Sequence, residues 1–263
     1  MTVRLEQMSW PEIKEALSKL NVVVLPIGST EEHGTHLPVN VDSLCTTYIA
    51  DKAAEKVVKE HKIDVMVAPT IHYGEVSHHK MFPGTIGVKA DTLIRMLIEI
   101  VGSFLEQGFK NVIVVTGHHE NCSPIEVALT MVADCYPGAN IFGVSTMGLG
   151  FDARPGLVKA GVAGSGHSLE VETSQAMVIQ PQNVHLERAA TGSRVLPLSE
   201  RYIGATGKDT SKGVIFVSGL RGFEQTGTFG DPTKASKEAG QKILTAQIND
   251  LADIILQVAK LDK

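Results

Sequence analysis

The stretch VVVLPIGSTEEHGTHLPVNVD, Val22 to Asp42, decides how this chain is read. Its first seven residues are mostly apolar and β-branched and end in glycine, the pattern of a short buried strand. The remainder holds Glu31, Glu32, His33, His36 and Asp42 among small and apolar neighbours. A strand therefore leads into a dense group of metal-capable side chains. Such a group is either a polar surface loop or half of a metal site whose other half lies elsewhere in the chain.

Working outward, the chain alternates strands and helices. Ser9 to Leu20 predicts a helix, with Ser9 as N-cap and Glu12 three residues on. A helix over about Ser43 to Lys59 follows the opening stretch. DVMVAPTI (Asp64–Ile71) predicts a second strand. ADTLIRMLIEIVGSFLEQGF (Ala90–Phe109) has apolar residues at helical spacing, with Gly108 suited to the C-cap. NVIVVTG (Asn111–Gly117) is a third buried strand, followed by a helix from about Ser123 to Cys135. NIFGVSTM (Asn140–Met147) is a fourth strand. GDPTKASKEAGQKILTAQINDLADIILQVAKL (Gly230–Leu261) reads as a long helix opened by Asp231-Pro232. Strands separated by helices of this length imply an α/β fold with a mostly parallel sheet and helices on both faces. No repeat, low-complexity tract or linker divides the chain, so residues 1–263 read as a single domain. Residues 148–230 are Gly-rich and are expected to hold long loops or a small extra sheet.

Composition sets the outer limits. The chain has 263 residues, 43% hydrophobic and 20% charged, with a formal net charge of -5. That length can bury a sizeable core. The mildly acidic balance argues against nucleic acid or an anionic membrane as the main partner. The N-terminal MTVRLEQMSWPEIKEALSKL has no apolar run of signal-peptide length. No stretch approaches the ~20 apolar residues of a membrane helix. Cys45, Cys122 and Cys135 form no CxxC pair, which fits free thiols in a reducing cytoplasm.

In open parallel sheets, ligands bind beyond the carboxyl ends of the strands. The opening group leaves the first predicted strand at that end, and TGHHEN (Thr116–Asn121) leaves the third. Two polar groups distant in sequence should therefore share one sheet edge. Glu31, His33, Asp42, His118 and Glu120 together supply three carboxylates and two imidazoles. Such a set suits one or two divalent cations of the zinc or manganese type. A shared carboxylate such as Asp42 could bridge two cations roughly 3.5–4 Å apart, a pairing that activates water and polarises a carbonyl.

PIGSTEEHGTHLPVNVD, FPGT, TGHHEN and HSLEVETS resemble, in order, the four signature blocks of the creatininase family. The similarity runs from about Trp10 to the GDP at Gly230–Pro232. The resemblance implies a three-layer α/β/α sandwich and a two-metal hydrolase, often a homohexamer. It implies that Glu31, Asp42 and His118 hold one metal, that His33, Asp42 and Glu120 hold the second, and that Asp42 is the bridge. His167 matches the histidine that the family uses for proton transfer near the scissile bond, a role suited to an imidazole. Glu172 matches a signature carboxylate, read here as supporting the ligands from behind. Glu32 stands where the family often has glutamine, and is expected to support the site or to be exposed. A supporting hydrogen bond is favoured for His36 over ligation.

The departures concern substrate. Creatininase itself has a glutamate before the proton-transfer histidine and a tyrosine between the metal-binding histidine and glutamate. Here these are Gly166 and His119, and His119 becomes a candidate substrate contact. Creatininase also frames its substrate with tryptophans in the second half of the chain, whereas the single tryptophan here is Trp10. In SHHKMFPGT (Ser77–Thr85), a polar loop and a lid contacting substrate are equally open readings. GVAGSGHS (Gly161–Ser168) reads as a flexible loop that positions His167, and Cys122 as an inert thiol. His61 and His185 read as surface or structural. The expectation is a cytoplasmic, metal-dependent hydrolase of a small molecule, cleaving a non-peptide carbon–nitrogen bond in a cyclic amide or formamide. A metal-bridged hydroxide would attack the carbonyl, and His167 would deliver the proton. The alternatives are ring opening of a cyclic polyol ketone and a non-catalytic binding homologue.

Overall fold

The computed structural model describes residues 3–19, 22–159, 166–192, 226–228 and 230–261. Four strands, β1 (Val22–Ile27), β2 (Val65–Val67), β3 (Asn111–Thr116) and β4 (Asn140–Ser145), form one sheet in the order β2-β1-β3-β4. All three pairings are parallel. β1 lies inside the sheet and is buried at all six positions, as its unbroken apolar run requires.

Alternate residues of β1 feed two cores. Val22 and Val24 join Ile113 and Val115 against helices α2 (Val41–His61) and α6 (Lys237–Val258). Val23, Leu25 and Ile27 join Val112 and Val114 against α1 (Trp10–Leu17), α3 (Ala90–Glu106) and α4 (Cys122–Cys135). The three α/β/α layers expected from the sequence follow from this two-residue period. Each fully buried Val, Leu or Ile contributes about 1.5–3 kcal/mol. Pro26 lies inside a strand yet breaks no ladder. Its carbonyl accepts from Ile71 N on the β2 side, past the last β1–β2 pairing at Val24 and Val67, so no partner strand needs the missing N–H.

Local signals set several boundaries. α1 opens on the capping box of Ser9 and Glu12. α3 ends at Glu106, and Gly108 takes the left-handed φ of +101° just beyond it. Other boundaries differ from the sequence expectation. β2 is three residues long, and α2 starts at Val41, one residue before Asp42. The C-terminal helix does not open at Asp231-Pro232. Asp231 instead caps a separate 3-10 turn, Pro232–Lys234, by accepting from Thr233 N. Ala235 is then extended, and Ser236 caps α6 through Ala239 N. The Gly-rich region contains α5 (Glu170–Ile179), which its weak apolar period concealed. Residues 193–225 of that region, and 161–165 of the predicted flexible loop, lie outside the described residues. No described helix is long and apolar enough to cross a membrane.

Two close approaches position the site. A Cβ on Gly28 would lie 2.3 Å from Ser43 N, so glycine lets the first turn of α2 close on the end of β1. A Cβ on Gly240 of α6 would lie 2.0 Å from the Ser174 carbonyl oxygen of α5. Gly240→Ala should therefore destabilise the protein by about 2 kcal/mol or more. Chemical denaturation should show a lower midpoint with an unchanged slope.

Candidate metal centre

The carboxyl ends of β1 and β3 bring the two polar groups together. Asn121 clamps the junction: its Nδ2 donates to the Gly28 carbonyl at 2.9 Å, and its Oδ1 accepts from Glu75 N at 3.0 Å. Asp42, in the first turn of α2, lies between two imidazoles. Its Oδ1 is 3.2 Å from His33 Nε2 and its Oδ2 is 3.0 Å from His118 Nδ1. Ser29 Oγ donates to the same Oδ2 at 2.7 Å. Burial opposes ionisation of Asp42, but His33 and His118 hold its carboxyl well below the usual range.

Both imidazoles are oriented by backbone. His33 Nδ1 is 3.0 Å from the Glu31 carbonyl, and His118 Nε2 is 2.6 Å from the Glu75 carbonyl. A carbonyl only accepts, so these nitrogens carry the protons. The opposite nitrogens face the carboxylates with their lone pairs when the rings are neutral, the orientation a metal ligand needs.

Two donor sets share Asp42. Glu31, Asp42 and His118 form one and His33, Asp42 and Glu172 the other, with the donor atoms of each set within 4.8 Å of one another. Glu172 comes from the first turn of α5, where Ser168 N donates to it at 2.6 Å. The second set expected from the sequence had Glu120 in the place that Glu172 takes in this grouping. Glu120 lies 3.4 Å from His118 Nε2 and 3.4 Å from His78 Nδ1, on the side of His118 that faces away from Asp42. The His119–Asn121 turn carries it there, and Glu172 stands beside His33 and Asp42 in its place.

The donor chemistry fits divalent cations. Glu31 is fully buried, and its Oε2 has no hydrogen-bond partner. Burial pushes the Glu31 carboxyl up to about 7, against the pull of His118 and His167. Burial likewise raises Glu172. Three carboxylates crowded out of water are costly unless paired or metal-bound, and His118 and His33 are drawn toward protonation by them despite burial.

His167 sits above both sets. Its Nδ1 is 3.2 Å from Glu31 Oε1 and its Nε2 is 3.1 Å from Glu32 Oε1. Glu32 also meets His79 Nδ1 at 2.7 Å. Glu32 and His79 are both buried, so Glu32 is a partner of His167 and the apparent polar loop sends His79 inward. Burial disfavours the Glu32 carboxylate, yet hydrogen bonds from His167 and His79 hold its carboxyl well below the usual range. His36 Nε2 meets Thr173 Oγ1 of α5 at 2.9 Å, one residue from Glu172. His119 is exposed at the rim. The sequence reading left Asn121 and Ser29 without roles, and for His79 it weighed a polar loop against a lid contacting substrate.

The sequence profile of the creatininase family, described as creatinine amidohydrolase, matches residues 6–255. The mycofactocin precursor peptide peptidase of Mycolicibacterium smegmatis is 30% identical over 90% of this chain and 85% of its own. The 3-dehydro-scyllo-inosose hydrolase of Thermotoga maritima is 26% identical over 97% of this chain and 83% of its own. A solved structure titled as a manganese creatininase shares the fold, with a TM-score of 0.81, 22% identity and 99% and 100% of the two chains covered. On the profile match across nearly its whole length, this chain belongs to the creatininase family of hydrolases.

Proposed function

We propose that this protein hydrolyses a carbon–nitrogen bond other than a peptide bond, in a cyclic amide or formamide, using two divalent cations of zinc or manganese. The observation that carries the reading is Asp42 shared by two donor sets, one fully buried and one buried but for Glu172. Glu31, Asp42 and His118 would hold one cation, and His33, Asp42 and Glu172 the other. When bound, such a pair supplies an activated water and a Lewis acid for the carbonyl oxygen.

The chain's own groups provide the rest. His33 and His118 are held by backbone carbonyls in the tautomers that ligation needs. His167 is tied at Nε2 by Glu32, which leaves Nδ1 facing the donor sets as the atom that passes a proton to the leaving nitrogen. An imidazole serves this near neutral pH. Creatinine itself is disfavoured as substrate. The single tryptophan, Trp10, is 74% exposed at the start of α1, an element that carries none of the donor residues. The Thermotoga relative, named as a keto-inositol hydrolase, favours one second reading, hydrolytic ring opening of a cyclic polyol ketone.

Three outcomes test the proposal. Elemental analysis should find no bound metal in Asp42→Ala and about one equivalent in Glu172→Gln, while Glu120→Gln keeps two. Full occupancy in Asp42→Ala would remove the two-metal reading. His167→Asn should keep both metals and lose about 10²–10⁴-fold in kcat; loss of a metal equivalent would make His167 a ligand instead. Across cyclic amides, formamides, a keto-inositol, a short peptide and creatinine, chelation should abolish turnover and metal should restore it. Creatinine should stay below a kcat/KM of about 10⁴ M⁻¹s⁻¹, within the range of efficient enzymes.

A further inference from the structure

Arg154 is a buried cation that has no salt-bridge partner among the described residues and feels Glu172 only at longer range. Its residue is 8% exposed. Nη2 donates to the backbone carbonyls of Met147 at 2.6 Å and Leu149 at 3.3 Å. The guanidinium carbon lies 5.4 Å from the ring centroid of Phe151. Nε is buried without a hydrogen-bond partner. Among the described residues, no carboxylate oxygen lies within 4.0 Å of this guanidinium. Arginine is rarely buried without an anion, because desolvating the charge costs several kcal/mol.

The same side chain lines a cavity of about 30 Å³ whose wall includes Asp42, Glu172, Thr146, Gln175 and Gln247. That volume takes about two water-sized groups, the size of the two oxygens of a carboxylate. The amides in the wall are largely committed. Gln247 Nε2 donates to the Thr146 carbonyl at 2.8 Å, and Gln175 Nε2 donates to Gln247 Oε1 at 2.6 Å. Arg154 Nε is thus an uncommitted donor in the wall of the cavity. Asp42 and Glu172 place the cavity against the candidate metal centre, and divalent cations bound there would offset the two wall carboxylates, leaving Arg154 to meet an anion.

We propose that this cavity is a carboxylate subsite, in which Arg154 donates to a small carboxylate whose attached atoms point toward His33, Asp42 and Glu172. Three residues of one loop, Met147, Leu149 and Phe151, hold the guanidinium in place before any ligand arrives, which lowers the entropic cost of binding. The carboxylate has two sources. It is either a substituent of the substrate near the scissile carbonyl or the carboxylate that amide hydrolysis releases. The second source rests on the function proposed above; the binding site itself does not.

Formate and acetate titrated by calorimetry into the metal-loaded protein, as wild type, R154K and R154Q, test the subsite. Wild type should bind about one equivalent of formate saturably. R154Q should bind it on the order of 30-fold more weakly, as expected when one partner of a buried hydrogen-bonded charge pair is removed, and R154K should fall between them. Equal binding by wild type and R154Q would mean that the metals alone hold the anion, and would overturn the subsite. Absence of saturable binding to wild type would leave the cavity to water and would also overturn it. If R154Q fails to fold, the comparison of wild type with R154K stands alone. Kinetics separate the sources. A KM raised in R154K only for amides bearing a carboxylate identifies a substrate group. Weaker product inhibition with unchanged KM identifies the product. Absence of amide turnover would sink the proposed reaction and leave the calorimetric result standing.

Discussion

Burying carboxylates is the constraint on which the rest of this structure depends. Glu31, Asp42 and Glu172 are brought close to one another among His33, His118 and His167. In water such groups repel weakly. Withdrawn from it, each must be hydrogen-bonded, protonated or metal-bound. Ser29 and Ser168 supply hydrogen bonds to two of them, while Glu31 Oε2 is left without one. The imidazoles are locked by the Glu31 and Glu75 carbonyls, so they cannot turn to relieve the crowding. A rigid arrangement of donors, complete except for positive charge, is what a metal centre requires of a protein.

The fold supplies that rigidity from several directions. β1 and β3 end side by side, and Asn121 ties their ends together. α2 closes on Gly28 and brings Asp42 with it. α5 is held against α6 at Gly240, and so presents Glu172. The ligand candidates therefore come from four places: the segment after β1 for Glu31 and His33, α2 for Asp42, the end of β3 for His118 and α5 for Glu172. Small errors in packing would move one donor relative to the others. This is why helix contacts remote from the chemistry matter to the site.

Around the donor sets the chain departs from the creatininase pattern in a consistent way. A carboxylate, Glu32, stands where the family often has glutamine, and it holds both His79 and His167. His119 takes the place of a tyrosine and lies exposed at the rim. Arg154 brings a buried positive charge to the floor of the site. Fold and metal donors persist in such families while the surrounding groups change with substrate. Among the described residues, these surroundings are charged and hydrogen-bonding.

The sequence by itself determined the layers, the parallel sheet, the run of β1 and the edge at which polar groups collect. These follow from the spacing of apolar side chains along a few residues, a local property that the chain states directly. It also pointed to Glu31, His33, Asp42 and His118, because each leaves a recognisable strand or opens a recognisable helix. Only the tertiary structure decided that Glu172 stands beside His33, that Glu32 and His79 turn inward, and that Arg154 is buried with its Nε lacking a hydrogen-bond partner. Glu120 follows His118 closely in sequence, and proximity along the chain suggested a shared site. The turn at His119–Asn121 sends its carboxylate to the far face of the imidazole, whereas α5, held on α6, brings Glu172 to the near one. Which face of a ring a carboxylate meets depends on how distant helices pack, and the spacing of residues within one segment carries no record of that.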